Sequence, residues 1–236
     1  MATNIENIPA IMRHHKWAVG AALMDSWFSR PVNVAPKYGP PNTTTVTMNW
    51  VLSFLRARRI YDKLMADRIW ANSAAQAEIV KMLRRNRLIL QNMCYTKSFG
   101  RLSDPVPRQD PDYINQRALG MSTDLDDLNA ALANFVFNVV VAGTVQTTNT
   151  IGEYRVEITE VGVYAKDSYD FVGSQFLGYW DDSDNSVSMI NPFSGTEIRN
   201  QDFRDWRAAN SKGGDFQIFS DLKRTVLKTP DVFTFK

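Results

Sequence analysis

Cysteine and histidine are the residues this chain has least of. Among its 236 residues are one cysteine, Cys94, and two histidines, the adjacent pair His14 and His15. A single cysteine excludes an internal disulfide and a cysteine-rich zinc site. Two histidines side by side leave a Ser-His-Asp triad or a three-histidine metal centre to that pair or to none, so most histidine-based chemistry is not expected. Neighbouring positions on a helix also point apart, which favours a surface role for the pair. Long apolar runs are missing too. The longest, Phe135–Gly143, is interrupted by Asn138 and falls short of the about 20 residues that a membrane-spanning helix needs. The first thirty residues hold Glu6 and Asp25 and no unbroken apolar core, so no signal peptide is expected. A protein of this kind acting outside its own cell would be made in the cytoplasm and exported by another route.

What is present is ordinary for a globular protein: 44% hydrophobic and 22% charged residues, enough chain for one large domain or two small ones. The net charge of +2 hides an asymmetry. Residues 1–97 hold 14 Lys/Arg against 5 Asp/Glu, and residues 98–236 hold 13 against 20. Three readings follow: two halves that attract each other, a basic surface for phosphates or anionic membranes, or a docking face for an acidic partner. The basic run Arg56–Arg87 lacks interleaved exposed aromatics and any known nucleic-acid motif, so nucleic acid is not the expected partner.

Periodicity divides the chain by character. Ile8, Ile11, Met12, Val19, Leu23 and Trp27 fall near helical spacing, and Pro31, Pro36, Pro40 and Pro41 then mark an extended segment. Thr43–Met48 reads as a short strand. Helices are expected over about 50–65 and from Ser73, where Ser73-Ala74-Ala75-Gln76 has the form of a capping box. Cations at the end of that second helix oppose its dipole, which is a purely structural use of part of the basic run. Residues 98–122, with Pro105, Pro107 and Pro111, read as a linker. A short helix over 125–133 is expected, capped by Thr123 or Asp124. Strands follow at 135–141, 154–164, 176–180, 187–190, 216–219 and 226–235, with a helix over 201–209 between them. The expected fold is α+β: a basic, mainly helical region (1–97), a linker (98–122), and a mainly antiparallel β domain with a short inserted helix (123–236).

Two clusters carry potential chemistry. In Tyr164–Phe171, Asp167 and Asp170 stand three apart with the phenol of Tyr169 between them. Two carboxylates at a strand end can bind a divalent cation or act as a base and its orienting group. The same spacing suits an Asp-rich turn whose side chains bond the local backbone. In the second cluster, Arg204 and Arg207 lie at i, i+3 on a helix, followed by Lys212-Gly213-Gly214. These groups can hold a phosphate. They equally describe a helix stopped by glycine before a strand. Together the clusters suit phosphoryl or pyrophosphate chemistry.

The segments Met24–Phe28, Tyr61–Lys63, Trp70–Asn72, Tyr169–Phe171, Leu177–Trp180, Phe203–Arg207 and Lys212–Phe216 resemble those of an uncharacterised bacterial domain family found beside type VI secretion genes. Separately, Asp167-Ser168-Tyr169-Asp170-Phe171 is similar to the Asp-x-Tyr-Asp-Phe motif of colicin M-type bacteriocins, with Gly214–Ile218 resembling their later turn and strand. The bacteriocins carry a His-Arg pair shortly after the motif, where this chain reads Phe176-Leu177. The resemblances imply an antibacterial effector toxin, a hydrolase that cleaves the peptidoglycan precursor lipid II in the target periplasm with a divalent cation such as Mg2+. They imply Asp167, Tyr169 and Asp170 as catalytic residues, Asp167 and Asp170 as metal ligands, and Arg204, Arg207 and Lys212 on the substrate. A cognate immunity protein and a spike or adaptor of the secretion machinery are the implied partners, and the substrate is lipid-linked at the membrane surface. The alternatives are a non-catalytic adaptor or cargo domain and a nucleic-acid-targeting toxin.

Overall fold

The computed structural model describes residues 3–90, 94–120, 122 and 124–236. The helices are α1 (Ile8–His14), α2 (Ala18–Ser29), α3 (Met48–Val51), α4 (Leu55–Ala66), α5 (Ser73–Arg85), α6 (Val106–Gln109), α7 (Asp127–Leu132) and α8 (Asn200–Asn210). The strands are β1 (Thr96–Phe99), β2 (Asn115–Leu119), β3 (Phe135–Thr147), β4 (Tyr154–Tyr169), β5 (Phe176–Asp181), β6 (Ser186–Ser188), β7 (Thr196–Arg199), β8 (Phe216–Phe219) and β9 (Lys223–Phe235). The fold is α+β, with helices concentrated in the N-terminal part and antiparallel strands in the C-terminal part. No helix among the described residues is long and apolar enough to cross a membrane.

The chain forms two compact units, each built from three separated segments. The first comprises Met1–Val46, Gly120–Phe135 and Lys166–Phe219; the second comprises Thr47–Leu119, Val136–Ala165 and Ser220–Lys236. Neither unit coincides with 1–97, 98–122 or 123–236.

In the first unit the core gathers on α2. Trp27 is fully buried, with Phe28, Phe171, Phe203 and Trp206 around it at ring separations of 4.8–5.9 Å. Helix α2 has no side-chain cap of its own. Instead, the carboxylate of Asp127 in the first turn of α7 accepts from the N–H groups of Val19 and Gly20 at 3.1 and 2.8 Å. This neutralises two of the donors that a helix start leaves unpaired. The close approach of the two helices requires glycine, since a Cβ on Gly20 would lie 2.9 Å from that of Ala130. The last residues of β4, Lys166–Tyr169, pair antiparallel with β8, and β5 lies between β6 and β7 in a separate sheet.

In the second unit β3 lies between β1 and β4, with β2 also pairing β3 and β9 pairing β4. Phe137, Val139, Val145, Val156, Val161 and Val163 are buried on these strands, and Leu64, Ile79 and Leu83 are buried on α4 and α5. β9 is tied to the loop after α4 by Asp231, which accepts from the Trp70 indole N–H at 2.8 Å and pairs with Arg68.

Several local expectations shift by a few residues, for identifiable reasons. The region expected as a strand, 43–48, ends in a cap: Thr47 Oγ1 accepts from Trp50 N–H at 3.2 Å and starts α3, a role that suits a threonine hydroxyl. The helix expected over 50–65 is divided into α3 and α4. Helix α5 is capped by Asn72, whose Oδ1 accepts from Ala75 N–H at 2.9 Å; Ser73 already lies inside the helix and Ala75 takes the third position, so the cap is a single side-chain bond and not the expected box. Helix α7 is capped by Asp126 through Asn129 N–H at 2.9 Å, not by Asp124; Thr123, the other expected cap, lies outside the described residues. Strand β4 runs on to Tyr169 through what reads locally as an Asp-rich turn, because β8 pairs with it. Long-range pairing overrides local preference there.

β3 and β4 meet most tightly at Gly143, where a Cβ would fall 1.9 Å from the carbonyl oxygen of Glu157. Gly143→Ala is therefore expected to destabilise the protein by about 1–3 kcal/mol, the usual cost of overpacking. Urea unfolding measures this, and an unchanged midpoint would contradict the close approach.

Candidate functional site

In β4 alternate side chains leave the strand on the same side, so Asp167 and Tyr169 share a face. Tyr169 stacks on Phe216 of the paired strand at 5.2 Å, and the chain then turns so that Phe171 stacks on Phe203 of α8 at 3.8 Å. These aromatic contacts fix the acidic stretch against the core of the first unit. The result is a cavity of about 370 Å3 lined by Asp167, Tyr169 and Asp170 together with Met12, Trp17, Met24, Leu177, Trp180 and Phe203. Asp124, Asp126, Asn129 and Asn200 also reach it. Sequence reasoning assigned none of these four to a site. Only Asp124 and Asp126 carried a local signal, as acids at a helix start.

Among the described residues, no arginine or lysine belongs to the lining, which governs the electrostatics. Asp167 is half-buried, and one of its oxygens accepts from the N–H of Ser168 at 2.8 Å. Burial pushes its carboxyl well above the usual range, the charge of Asp170 adds to the effect, and the Ser168 N–H only partly opposes it. Asp170 is also raised by burial, offset by Val172 N–H and Arg207. Burial raises the Tyr169 phenol as well, with Asp167 contributing, so it stays protonated. The site thus holds two carboxyls of elevated but different proton affinity beside a neutral phenol.

Arg204, Arg207 and Lys212 lie elsewhere. Arg204 donates to the carbonyls of Phe171 and Gly173, the latter at 2.7 Å, and so fastens the segment after β4 onto α8. Arg207 is almost fully buried and pairs with Asp215, which is 1% exposed. The Trp27 indole N–H donates to the same Asp215 oxygen at 2.8 Å, and the Arg207 guanidinium lies 5.1 Å from the Trp27 ring centre. Burial raises the Asp215 carboxyl, and Trp27 and Arg207 hold it down. Lys212 is exposed. The N–H groups of the following glycines are engaged, Gly213 with Arg30 and Gly214 with Trp27, each at 3.1 Å, and do not form an open phosphate cradle. The helix itself stops at Ser211, which takes the left-handed conformation.

Asp167 and Asp170 supply two carboxylates, and among the described residues no group of three or more His, Cys, Asp or Glu is arranged to hold a metal ion. Two carboxylates leave most of the six or more oxygen positions around a divalent cation to other ligands. The basic run of the second unit is partly committed to ion pairs: Lys63 with Asp67, Lys81 with Glu78, and Arg85 with Asp112.

Two predictions follow from these placements. A carboxyl raised on folding binds protons more tightly in the native state, so its contribution to stability declines as pH rises through the folded value. Asp167→Asn should therefore raise Tm at pH 7–8, by about 2–4 °C for each kcal/mol relieved, with the gain vanishing near pH 4. A melting series across that range decides it, and a variant less stable than wild type at pH 8 would refute the assignment. Arg207→Met strands a buried carboxylate and should cost about 3–5 kcal/mol, whereas Arg207→Met with Asp215→Leu should recover most of that. Chemical denaturation of both variants checks the pair.

A family described only as a family of unknown function, DUF6402, matches residues 3–196 and 194–235. No curated protein matches the chain, and no solved structure does. The description of the family assigns no activity, and its match covers nearly the whole sequence: this chain belongs to the DUF6402 family.

Proposed function

We propose that the chain is an antibacterial effector whose activity is carboxylate-dependent hydrolysis in the Asp167 cavity, acting on an amphipathic component of the cell envelope. The observation that carries this reading is the convergence of Asp167, Tyr169 and Asp170 in one cavity whose other walls are largely apolar. Its volume is within the range of small-ligand sites. Carboxyls pushed to different proton affinities serve as an acid and a base. Asp167, the more strongly raised, donates a proton to the leaving atom, an oxygen in a glycosidic bond and a nitrogen in an amide. Asp170 accepts a proton from the attacking water, and the Tyr169 hydroxyl orients the substrate. The scissile bond breaks, water supplies OH to one product, and the leaving group departs with the proton from Asp167.

The lack of Arg and Lys in the lining favours a linkage without net charge, such as a glycosidic or amide bond, over a bare pyrophosphate. Lipid II contains linkages of both kinds, so it remains the substrate to test first. Delivery by a type VI secretion apparatus and protection by a cognate immunity protein complete the proposal; both are expectations from the resemblances above.

The test is expression in a bacterial host, once in the cytoplasm and once with an added signal peptide. Periplasmic wild-type protein should reduce viability. Asp167→Asn, folded and equally abundant, should not. Toxicity that survives Asp167→Asn, or killing from the cytoplasm alone, overturns the proposal. Incubation of the purified protein with lipid II then identifies the bond: release of undecaprenol marks the pyrophosphate linkage, and altered sugar or peptide products mark the uncharged ones.

A further inference from the structure

The second unit holds a separate cavity of about 480 Å3 between the end of β1, α6 and β3. Its character is opposite to that of the acidic cavity. Arg101 and Arg108 line it, and both are exposed. Five arginines of this unit have an acidic partner: Arg68 pairs with Asp231, Arg85 with Asp112, Arg117 with Asp67, Arg155 with Glu157 and Arg224 with Glu160. Among the described residues Arg101 and Arg108 have no ion pair and no side-chain hydrogen bond. The acids nearby leave these charges largely uncompensated, because Asp112 is engaged by Arg85 and Asn86, and Asp104 alone remains.

The cavity is built rather than incidental. Gly100, just before Arg101, takes φ +73°, and a Cβ there would fall 2.1 Å from the carbonyl oxygen of Val141. The backbone that carries Arg101 is thus pressed onto β3, whose residues 140–141 line the space together with Phe99 and Leu102. Gln109 of α6 also lines the space and is 7% exposed. Its amide nitrogen donates to the carbonyl of Asp104, while its Oε1 has no hydrogen-bond partner. A buried acceptor without a donor is costly and rare in a native protein.

We propose that this cavity binds a small phosphate monoester that also carries an O–H or N–H donor. Arg101 and Arg108 pair with the phosphate, in the forked geometry that guanidinium groups offer. A small rotation of the Gln109 amide presents Oε1 to the donor. The apolar part of the lining, which includes Phe99 and Leu102, contacts the body of the ligand. The chemistry is that of a sugar phosphate or a nucleoside monophosphate.

Calorimetric titration of the full chain tests this, with inorganic phosphate, glucose 6-phosphate and adenosine monophosphate as probes. At least one ester should bind saturably and about tenfold or more tighter than inorganic phosphate, the margin of about 1.4 kcal/mol that one further hydrogen bond can supply. Its affinity should fall with added salt. Arg101→Gln combined with Arg108→Gln should lower ester affinity by at least about tenfold at unchanged Tm, since both side chains are exposed. Gln109→Leu should bring ester affinity down to that of inorganic phosphate. If that buried substitution prevents folding, the arginine double variant and the ester-to-phosphate ratio decide alone. No saturable binding of either ester at millimolar concentration, equal affinity for ester and phosphate, or an affinity indifferent to the two arginines each overturns the proposal.

Discussion

The first unit depends on a buried carboxylate. Asp215 sits between the Trp27 indole and the Arg207 guanidinium, and its neighbours in sequence are fixed by backbone bonds from Gly213, Gly214 and Asp215 itself to the end of α2 and the segment after it. One charge therefore joins α2, α8 and the turn before β8. Removing a partner leaves an ion in a dry interior, which costs far more than the pair contributes when intact. A Cβ on Gly213 would fall 2.5 Å from the Trp27 ring, so the turn must be glycine for the same reason: the indole occupies the space. The aromatic cluster around Trp27 then shields the pair from water and positions Phe171, and with it the acidic stretch that precedes it.

Against that frame, Asp167 stands out as a carboxyl without a cation. Arg207, whose charge acts on Asp170, is engaged with Asp215. A protein selected only for stability would replace Asp167 with a neutral residue, because burial penalises its ionised form at neutral pH. Retaining a destabilising ionisable group in a cavity is the pattern of sites that bind or react. The two cavities differ in chemistry: Asp167 and Asp170 line one, and Arg101 and Arg108 line the other.

Much of the fold can be read from the residues. Alternation marks β4 and the apolar Phe216–Phe219 marks β8, and helical spacing locates α2, α5 and α8 closely. The misplacements have one physical cause, which is that local sequence does not reveal distant partners. Asp127 reads as an acid in the first turn of α7, yet it caps α2 from about a hundred residues away. The run after Tyr164 reads as a turn because β8 is invisible from within it. The acidic trio of the candidate site was legible from spacing. The positions of Arg204 and Arg207 were not, since a cation three residues from another on a helix looks the same whether it faces a ligand, a carbonyl or a buried aspartate.

The three-segment construction of each unit has a consequence for how the protein is made. A chain leaving the ribosome cannot complete the first unit before residue 219 or the second before the final strand, so neither can fold as an independent early domain. Through most of synthesis, α2 lacks Asp215 and α8, and β3 lacks β4. A fragment that stops before residue 166 lacks the strand end, the helix and the turn that complete the first unit, and a fragment of either half would carry no complete cavity at all.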